Sequence, residues 1–145
     1  ADVVRRAAAL AADLRAELEA TRPSGPPRRV LYLIWREPWM TVARDTYLSR
    51  MLARIGWQTL PDVAGGPVGA SRYPVVHGRE PWLADVDEML LSSEPYRFDP
   101  SHFDEARALC PSARVRMVDG ELLSWYGARA VPGLRYLREL AAAAG

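Results

Sequence analysis

Aromatic and arginine side chains are concentrated in three short segments of the sequence, each of which follows an apolar run. The segments are residues 35–39 (Trp-Arg-Glu-Pro-Trp), 93–97 (Ser-Glu-Pro-Tyr-Arg) and 119–129, the last of which ends in Trp-Tyr-Gly-Ala-Arg. Together they hold three Trp, two Tyr and three Arg. Aromatic rings bind flat apolar groups and guanidinium groups bind anions, so these segments favour a flat, partly apolar ligand with anionic substituents.

The two Glu-Pro-aromatic turns also have a purely structural interpretation. Proline ends a strand, and the aromatic side chain that follows then packs on a neighbouring element. Both interpretations stay open for residues 35–39 and 93–97. A third copy, residues 79–82 (Arg-Glu-Pro-Trp), favours the start of a helix, because proline is common in a first helical turn.

Several kinds of chemistry are excluded by composition. All 19 basic residues are Arg, which excludes a phosphate-loop lysine and a Schiff base. Cys110 precedes Pro111 and is interpreted as a buried inert thiol, while His77 and His102 are isolated. No nucleophile–base or paired-carboxylate spacing stands out, so we predict no enzyme activity, no metal site and no cofactor. A net charge of +1 with interspersed signs argues against nucleic-acid binding.

The elements that must position these segments alternate between strands and helices. Apolar runs predict strands at 30–35, 57–60, 86–91 and 115–118, and helical periodicity predicts helices at 1–20, 44–55, 81–84, 101–109 and 125–144. Residues 62–74 and 119–124 are predicted to be loops. This alternation predicts an α/β fold with a parallel sheet covered on both sides. Ligands then bind beyond the carboxyl ends of the strands, where the three segments meet.

The amino-terminal part of the chain differs from the rest. Residues 1–20 predict an amphipathic helix, and residues 21–27 (Thr-Arg-Pro-Ser-Gly-Pro-Pro) form a proline-rich linker. No run approaches the roughly 18 apolar residues that span a membrane, and the first residues carry no signal peptide. We therefore expect the chain to be a processed or truncated piece of a longer protein.

Residues 30–39, 90–98 and 118–129 resemble a known family, and the run Asp-Gly-Glu-Leu-Leu-Ser-Trp-Tyr-Gly-Ala-Arg is the most specific match. The chain is similar to the carboxyl-terminal half of periplasmic substrate-binding proteins of ABC importers for ferric siderophores, haem and cobalamin, in the group called helical-backbone metal receptors. The resemblance implies a three-layer, Rossmann-like lobe over residues 28–145. Residues 1–27 then supply the interlobe helix and linker, and an amino-terminal lobe is missing.

The resemblance also implies a function and a location. The protein would capture a metal chelate in the periplasm or at the cell surface and deliver it to a membrane permease. Strand-end loops hold the ligand in this family, and the matching positions here are Trp35, Arg36, Trp39, Glu94, Tyr96, Trp125, Tyr126 and Arg129. Asp45 matches the acidic residue that docks on the permease, and its reversal to Arg is expected to leave chelate binding unchanged. Gly56-Trp57 departs from a glycine pair that is frequent in the family.

Two other functions are compatible with the same residues. A cytosolic α/β enzyme acting on a tetrapyrrole or a nucleotide-like ligand would use the same sheet edge, with Glu37, Glu94 or Asp119 as its acid or base. An interaction domain would use the exposed aromatic residues to bind another protein.

Overall fold

A computed structural model describes residues 2–23, 25–124 and 130–144 of the 145-residue chain. The elements in chain order are α1 (Asp2–Ala20), β1 (Arg28–Leu33), β2 (Trp39–Met40), α2 (Tyr47–Ala53), β3 (Trp57–Thr59), β4 (Val75–Val76), β5 (Glu88–Ser92), α3 (Phe103–Leu109), β6 (Arg114–Val118), α4 (Gly120–Ser124) and α5 (Ala130–Ala144). Short 3-10 turns lie at Ala70–Arg72, Pro81–Asp85 and Pro100–His102.

The centre of the molecule is a parallel four-stranded sheet in the order β3-β1-β5-β6. β1 and β5 occupy its middle, paired from Val30 with Glu88 to Leu33 with Leu91. Residues 30–33 and all of β5 are buried, which explains why residues 30–33 and 89–91 are apolar without alternation. The predicted α/β fold with a Rossmann-like parallel sheet is confirmed.

Two hydrophobic cores cover the two faces of the sheet. Val30, Tyr32 and Leu90 point to one face, where they join side chains of α2, α4 and α5. Leu31 and Leu91 point to the other face, where they join side chains of α3 and of residues 76–98. The alternation along each strand thus produces three layers, as predicted.

The structure differs from the sequence predictions at several elements. α2 begins at Tyr47 rather than at residue 44, because Thr46 is its N-cap and accepts a hydrogen bond from the Ser49 amide. Residues 120–124, predicted to be a loop, form the short helix α4. A small antiparallel sheet of β2 and β4 was not predicted. Residues 81–85 form a 3-10 turn instead of an α-helix.

Among the described residues, α1 contacts the rest of the molecule through its carboxyl-terminal half. Leu14 and Leu18 pack against the core that contains α5, and Glu17 pairs with Arg135 at 2.9 Å and with Arg138 at 2.6 Å. Val3 and Val4, near the other end, are 76% and 73% exposed, and none of the residues in α1 is buried. The prediction of a helix whose apolar face is only partly covered within this chain is confirmed.

Candidate ligand-binding cleft

Three loops leave the same edge of the sheet, which we call the carboxyl edge, because β1, β5 and β6 are parallel neighbours. Backbone hydrogen bonds join these loops: the Tyr96 amide donates to the Ile34 carbonyl at 3.2 Å, and the Ser93 amide donates to the Val118 carbonyl at 3.0 Å. The Gly120 amide donates to Ser93 Oγ at 3.0 Å. The prediction that the three loops share one edge is confirmed.

A cleft of about 380 Å³ opens at this edge. Two of the predicted ligand-contacting residues, Trp35 and Glu94, line it. The other lining residues are Tyr32, Ile34, Met40, Val42, Thr46, Tyr47, Leu48, Arg72, Tyr73, Pro95, Leu123 and Ser124. Most of this surface is aromatic or aliphatic, and Arg72 and Glu94 supply one charge of each sign.

The floor of the cleft is held by a chain of hydrogen bonds from a buried tyrosine. The hydroxyl of Tyr32 lies 3.0 Å from Ser92 Oγ, which donates to the Glu94 carbonyl at 2.6 Å. Burial raises the pKa of Tyr32 well above its usual value, so its hydroxyl stays protonated. This chain fixes the backbone of Glu94 relative to the sheet.

One wall of the cleft comes from Arg72 and Tyr73, at the end of the 62–74 loop. Two backbone hydrogen bonds attach this wall to the segment after β2: the Ala43 amide donates to the Arg72 carbonyl at 2.8 Å, and the Thr41 amide donates to the Pro74 carbonyl at 2.9 Å. Tyr73 is 43% exposed and Trp35 is 40% exposed, so both rings are accessible to a ligand. The sequence analysis missed both wall residues, because Arg72 and Tyr73 precede the short apolar run Val75-Val76 instead of following a predicted strand.

Three predicted ligand-contacting residues do not line this cleft. Arg36 is held by Glu105 of α3 through two hydrogen bonds of 2.7 and 2.9 Å. Trp39 stacks on Phe98 with ring centroids 6.2 Å apart and an angle of 6° between the ring planes. Tyr96 meets the edge of Trp35 at 5.4 Å and packs against Phe98. Each of these three side chains is thus in contact with another side chain of the protein, and its contact with a ligand stays a prediction.

Trp125, Tyr126 and Arg129 lie outside the described residues, so their contact with a ligand stays a prediction. The part of the same segment that the structure describes does reach the cleft, through Leu123 and Ser124.

Asp45 lies two residues before α2, and its carboxylate accepts hydrogen bonds from the backbone of the 62–74 loop. Its two oxygens accept hydrogen bonds from the Gly65 amide at 2.8 Å and from the Gly66 amide at 2.9 Å. The hydrogen bond from Gly65, together with that from Gly66 and the charge of Arg72, lowers the pKa of Asp45 below its usual value despite some burial. Its docking on a permease stays a prediction.

Other groups that could do chemistry have structural surroundings. Cys110 is buried, which raises the pKa of its thiol to about 11 and keeps it protonated. His102 Nδ1 accepts a hydrogen bond from the Asp99 amide at 3.1 Å, and its Nε2 lies 3.3 Å from the Tyr96 hydroxyl. Within residues 2–23, 25–124 and 130–144, no group of three or more His, Cys, Asp or Glu side chains is arranged to hold a metal ion. No helix among these residues has the length and hydropathy needed to span a membrane.

Comparison with solved structures relates this architecture to known proteins. No protein-family model and no curated protein matches the sequence. An ABC transporter substrate-binding protein from Listeria monocytogenes EGD-e matches 97% of this chain and 57% of its own, with a TM-score of 0.68 and 16% identity. The periplasmic heme-binding protein HutB of Vibrio cholerae matches 91% of this chain and 53% of its own, with a TM-score of 0.66 and 13% identity. The chain shares its fold with about half of a periplasmic binding protein.

A third neighbour extends the range of ligands in this set. The periplasmic vitamin B12 binding protein BtuF of Vibrio cholerae matches 90% of this chain and 49% of its own, with a TM-score of 0.55 and 19% identity. The chain therefore spans about half the length of the periplasmic binding proteins that it matches. The resemblance predicted from residues 30–39, 90–98 and 118–129 is confirmed at the level of the fold.

Proposed function

We propose that the chain is the carboxyl-terminal lobe of a substrate-binding protein of an ABC importer, and that it captures a metal chelate such as a ferric siderophore, haem or cobalamin. The observation that carries the proposal is the aromatic cleft at the carboxyl edge, which has Arg72 on one wall and Glu94 on another. Exposed rings suit a flat or bulky chelate, and the two charges suit its ionic substituents. The fold shared with periplasmic binding proteins supports this use of the cleft.

The protein acts in this proposal by binding and not by catalysis. Glu94 and Arg72 are the charged residues among the described residues that line the cleft, and the hydrogen bond that Ser92 Oγ donates goes to the Glu94 carbonyl and not to its carboxylate. Cys110 lies in the core on the far side of β1 and β5 from the Tyr32 floor, with its thiol protonated. A ligand would therefore leave the cleft chemically unchanged, as transport requires.

Delivery to a membrane permease and a periplasmic or surface-anchored location belong to the same proposal. α1 would connect this lobe to an amino-terminal lobe that completes the cleft, and residues 21–27 would link it to β1. The half-length match to the neighbouring structures and the exposed amino-terminal half of α1 support this arrangement. Asp45 is proposed to contact the permease.

Titration of the full-length protein with haem, vitamin B12 and a ferric trihydroxamate tests the proposal. Trp35 lines the cleft, so binding is expected to quench tryptophan fluorescence. Trp35→Ala and Arg72→Ala are each expected to weaken the binding of the tightest of the three ligands at least about tenfold, which corresponds to about 1.4 kcal/mol of binding free energy. Arg79→Ala is the matched control, because Arg79 is an exposed arginine outside the cleft. No binding of any of the three chelates, or equal losses in the control, would overturn the proposal.

A further inference from the structure

The wall formed by Arg72 and Tyr73 belongs to a loop whose ends are attached by backbone hydrogen bonds, from the Arg44 amide to the Val63 carbonyl and from the Ala43 amide to the Arg72 carbonyl. The glycine-rich middle of the loop needs an anchor of its own. Residues 62–74 contain Gly65, Gly66 and Gly69. The φ angle is 77° at Gly66 and 101° at Gly69. Glycine-rich backbone loses much conformational freedom when it becomes ordered. The 3-10 turn at Ala70–Arg72 is the loop's regular element and is only three residues long.

Asp45 supplies such an anchor from a rigid position. The guanidinium group of its neighbour Arg44 donates twice to the Thr59 carbonyl, at 2.9 and 2.7 Å, and so is fixed to the end of β3. Its other neighbour, Thr46, is buried and caps α2. Asp45 thus lies between two residues that are fixed to β3 and to α2. From this position its carboxylate accepts hydrogen bonds from the amides of Gly65 and Gly66.

The anchored glycines in turn hold Arg72. The guanidinium group of Arg72 donates to the Gly66 carbonyl. Gly65 lies so close to the backbone of Ser71 and Arg72 that a Cβ at this position would overlap it. The positive charge of Arg72 also acts on Asp45 directly, since it helps to lower the pKa of that carboxyl. A continuous set of contacts therefore leads from Asp45 through the two glycines to the cleft wall.

We infer that Asp45 is a positioning residue of the ligand site: its carboxylate orders the 62–74 loop and so places Arg72 against the anionic substituents of the ligand. The inference rests on the proposed binding function, whereas the ordering of the loop does not depend on a ligand. If Asp45 only docked on the permease, loss of its carboxylate would leave ligand affinity unchanged. If Asp45 positions Arg72, the same loss should weaken ligand binding.

Two variants of Asp45 and one matched control test the inference. Asp45→Ala removes both acceptors, and Asp45→Asn keeps one. Asp104→Ala is the control, since it removes the same charge from an exposed carboxylate of α3, which pairs with Arg107 at 3.1 Å and lies outside the loop. Amide hydrogen exchange of the full-length protein is expected to become at least about tenfold faster at Gly65 and Gly66 in Asp45→Ala, with an intermediate change in Asp45→Asn and none in Asp104→Ala. Unchanged exchange in Asp45→Ala overturns the anchoring.

Ligand affinity then separates positioning from a merely structural role. Haem is the first probe, because it carries two carboxylates that Arg72 can bind; vitamin B12 and a ferric trihydroxamate follow. Asp45→Ala should weaken haem binding at least about fivefold in the wild-type background. It should have almost no further effect on haem affinity in the Arg72→Ala background, as expected for residues that act through one another. Equal effects in both backgrounds overturn the positioning role.

The remaining outcomes are also distinct. Slower transport at saturating ligand, with unchanged haem affinity, would assign Asp45 to permease docking and overturn the positioning role. If wild-type protein binds none of the three probes, the proposed function fails and the positioning of Arg72 for a ligand fails with it, while the exchange experiment still decides whether Asp45 orders the loop.

Discussion

Glu88 is a fully buried carboxylate at the start of β5, at the end of the sheet opposite the cleft. Arg28 approaches its Oε1 to 2.7 Å, and Arg116 approaches its Oε2 to 3.0 Å. Arg114 lies 3.9 Å away. Arg28 and Arg114 also donate to the Ala144 carbonyl, at 2.7 and 3.4 Å. One acidic side chain thus holds together β1, β5, β6 and the end of α5.

Removal of this charge is expected to destabilise the fold strongly. Glu88→Gln keeps the shape but leaves Arg28 and Arg116 without their counter-charge, which should lower the free energy of unfolding by about 3 kcal/mol. Glu105→Gln is the comparison, because it breaks the exposed pair with Arg36, which solvent screens, and should lower the free energy of unfolding much less. Urea denaturation measures both. Equal losses would show that the buried cluster is no stronger than a surface pair.

Gly120 holds two rim loops in contact. A Cβ at this position would overlap Ser92 Oγ and press on the side chain and carbonyl of Glu94. Gly120→Ala should therefore displace the Ser92–Glu94 segment, lower the free energy of unfolding by about 1–3 kcal/mol and weaken ligand binding. Gly25→Ala is the control, since a Cβ there meets nothing within 4 Å. Unfolding by urea and titration of the best-binding chelate should leave the control unchanged.

Three surface carboxylates predict how stability depends on pH. Hydrogen bonds lower the pKa of all three carboxyls. The main donor is the Gly65 amide for Asp45, Ser101 for Asp99 and Arg36 for Glu105. Their folded pKa values lie below the unfolded ones near 4, so their stabilisation is complete above about pH 5 and is lost as the pH falls through the folded values. The free energy of unfolding should fall between about pH 5 and 3, less steeply in Glu105→Gln. A flat profile in the wild-type protein would contradict this.

At the scale of elements, the sequence predicted best where a local pattern decides the structure. The apolar run at 30–35 and the periodic segment at 1–20 have long, uninterrupted signals, and the structure places β1 and α1 there. β2 and β4 have two residues each, too few to show any period, and they exist because Trp39 and Met40 pair with residues 75–76. That pairing is a tertiary property, so the sequence pattern could not reveal it.

The site was predictable only in part for the same reason. The parallel sheet predicted which loops meet, and Trp35 and Glu94 line the cleft as expected. The partner of Arg36 is Glu105, 69 residues away, and the partner of Asp45 is a glycine pair about 20 residues away. The family resemblance implied that Arg36 faces a ligand and that Asp45 faces a permease, and both roles stay predictions. Their partners within the chain could not be read from the sequence, because residues so far apart along the chain meet only in the folded structure.

α1 makes its contribution to stability through one half of its length. Leu18→Ala should lower the free energy of unfolding of the 145-residue chain by about 2 kcal/mol, because Leu18 packs on the core that includes α5. Val4→Ser should change it by less than about 0.5 kcal/mol, since Val4 is exposed. Urea denaturation of both variants checks this. A large loss in Val4→Ser would show that the amino-terminal half is covered, for instance by a second copy of the chain.

On the scale of the whole molecule, the two ends of the sheet have different tasks. The amino ends of the strands are closed by Glu88 and its arginines, which fix the strands to the end of α5. The carboxyl ends carry the open cleft, whose exposed Trp35 and Tyr73 face away from the sheet core. The contacts that stabilise the strands thus lie at one end of the sheet, and the cleft lies at the other. In open parallel sheets, ligands bind beyond the carboxyl ends of the strands.

The openness of the cleft leads to the last prediction. The chain matches about half the length of periplasmic binding proteins, and a chelate held by one lobe would keep much of its surface in water. We therefore expect the 145-residue chain to bind its best chelate at least about 100-fold more weakly than a longer natural chain that adds an amino-terminal lobe, a difference of about 2.7 kcal/mol.

Parallel titrations of the two proteins with haem, vitamin B12 and a ferric trihydroxamate measure this difference. Val4→Ser supplies an internal check, because Val4 should become buried against the added lobe: the substitution should destabilise the longer chain and leave the shorter one unchanged. Equal affinities in the two proteins would mean that the cleft described here is a complete site, and the role of α1 as a connection between two lobes would lose its support.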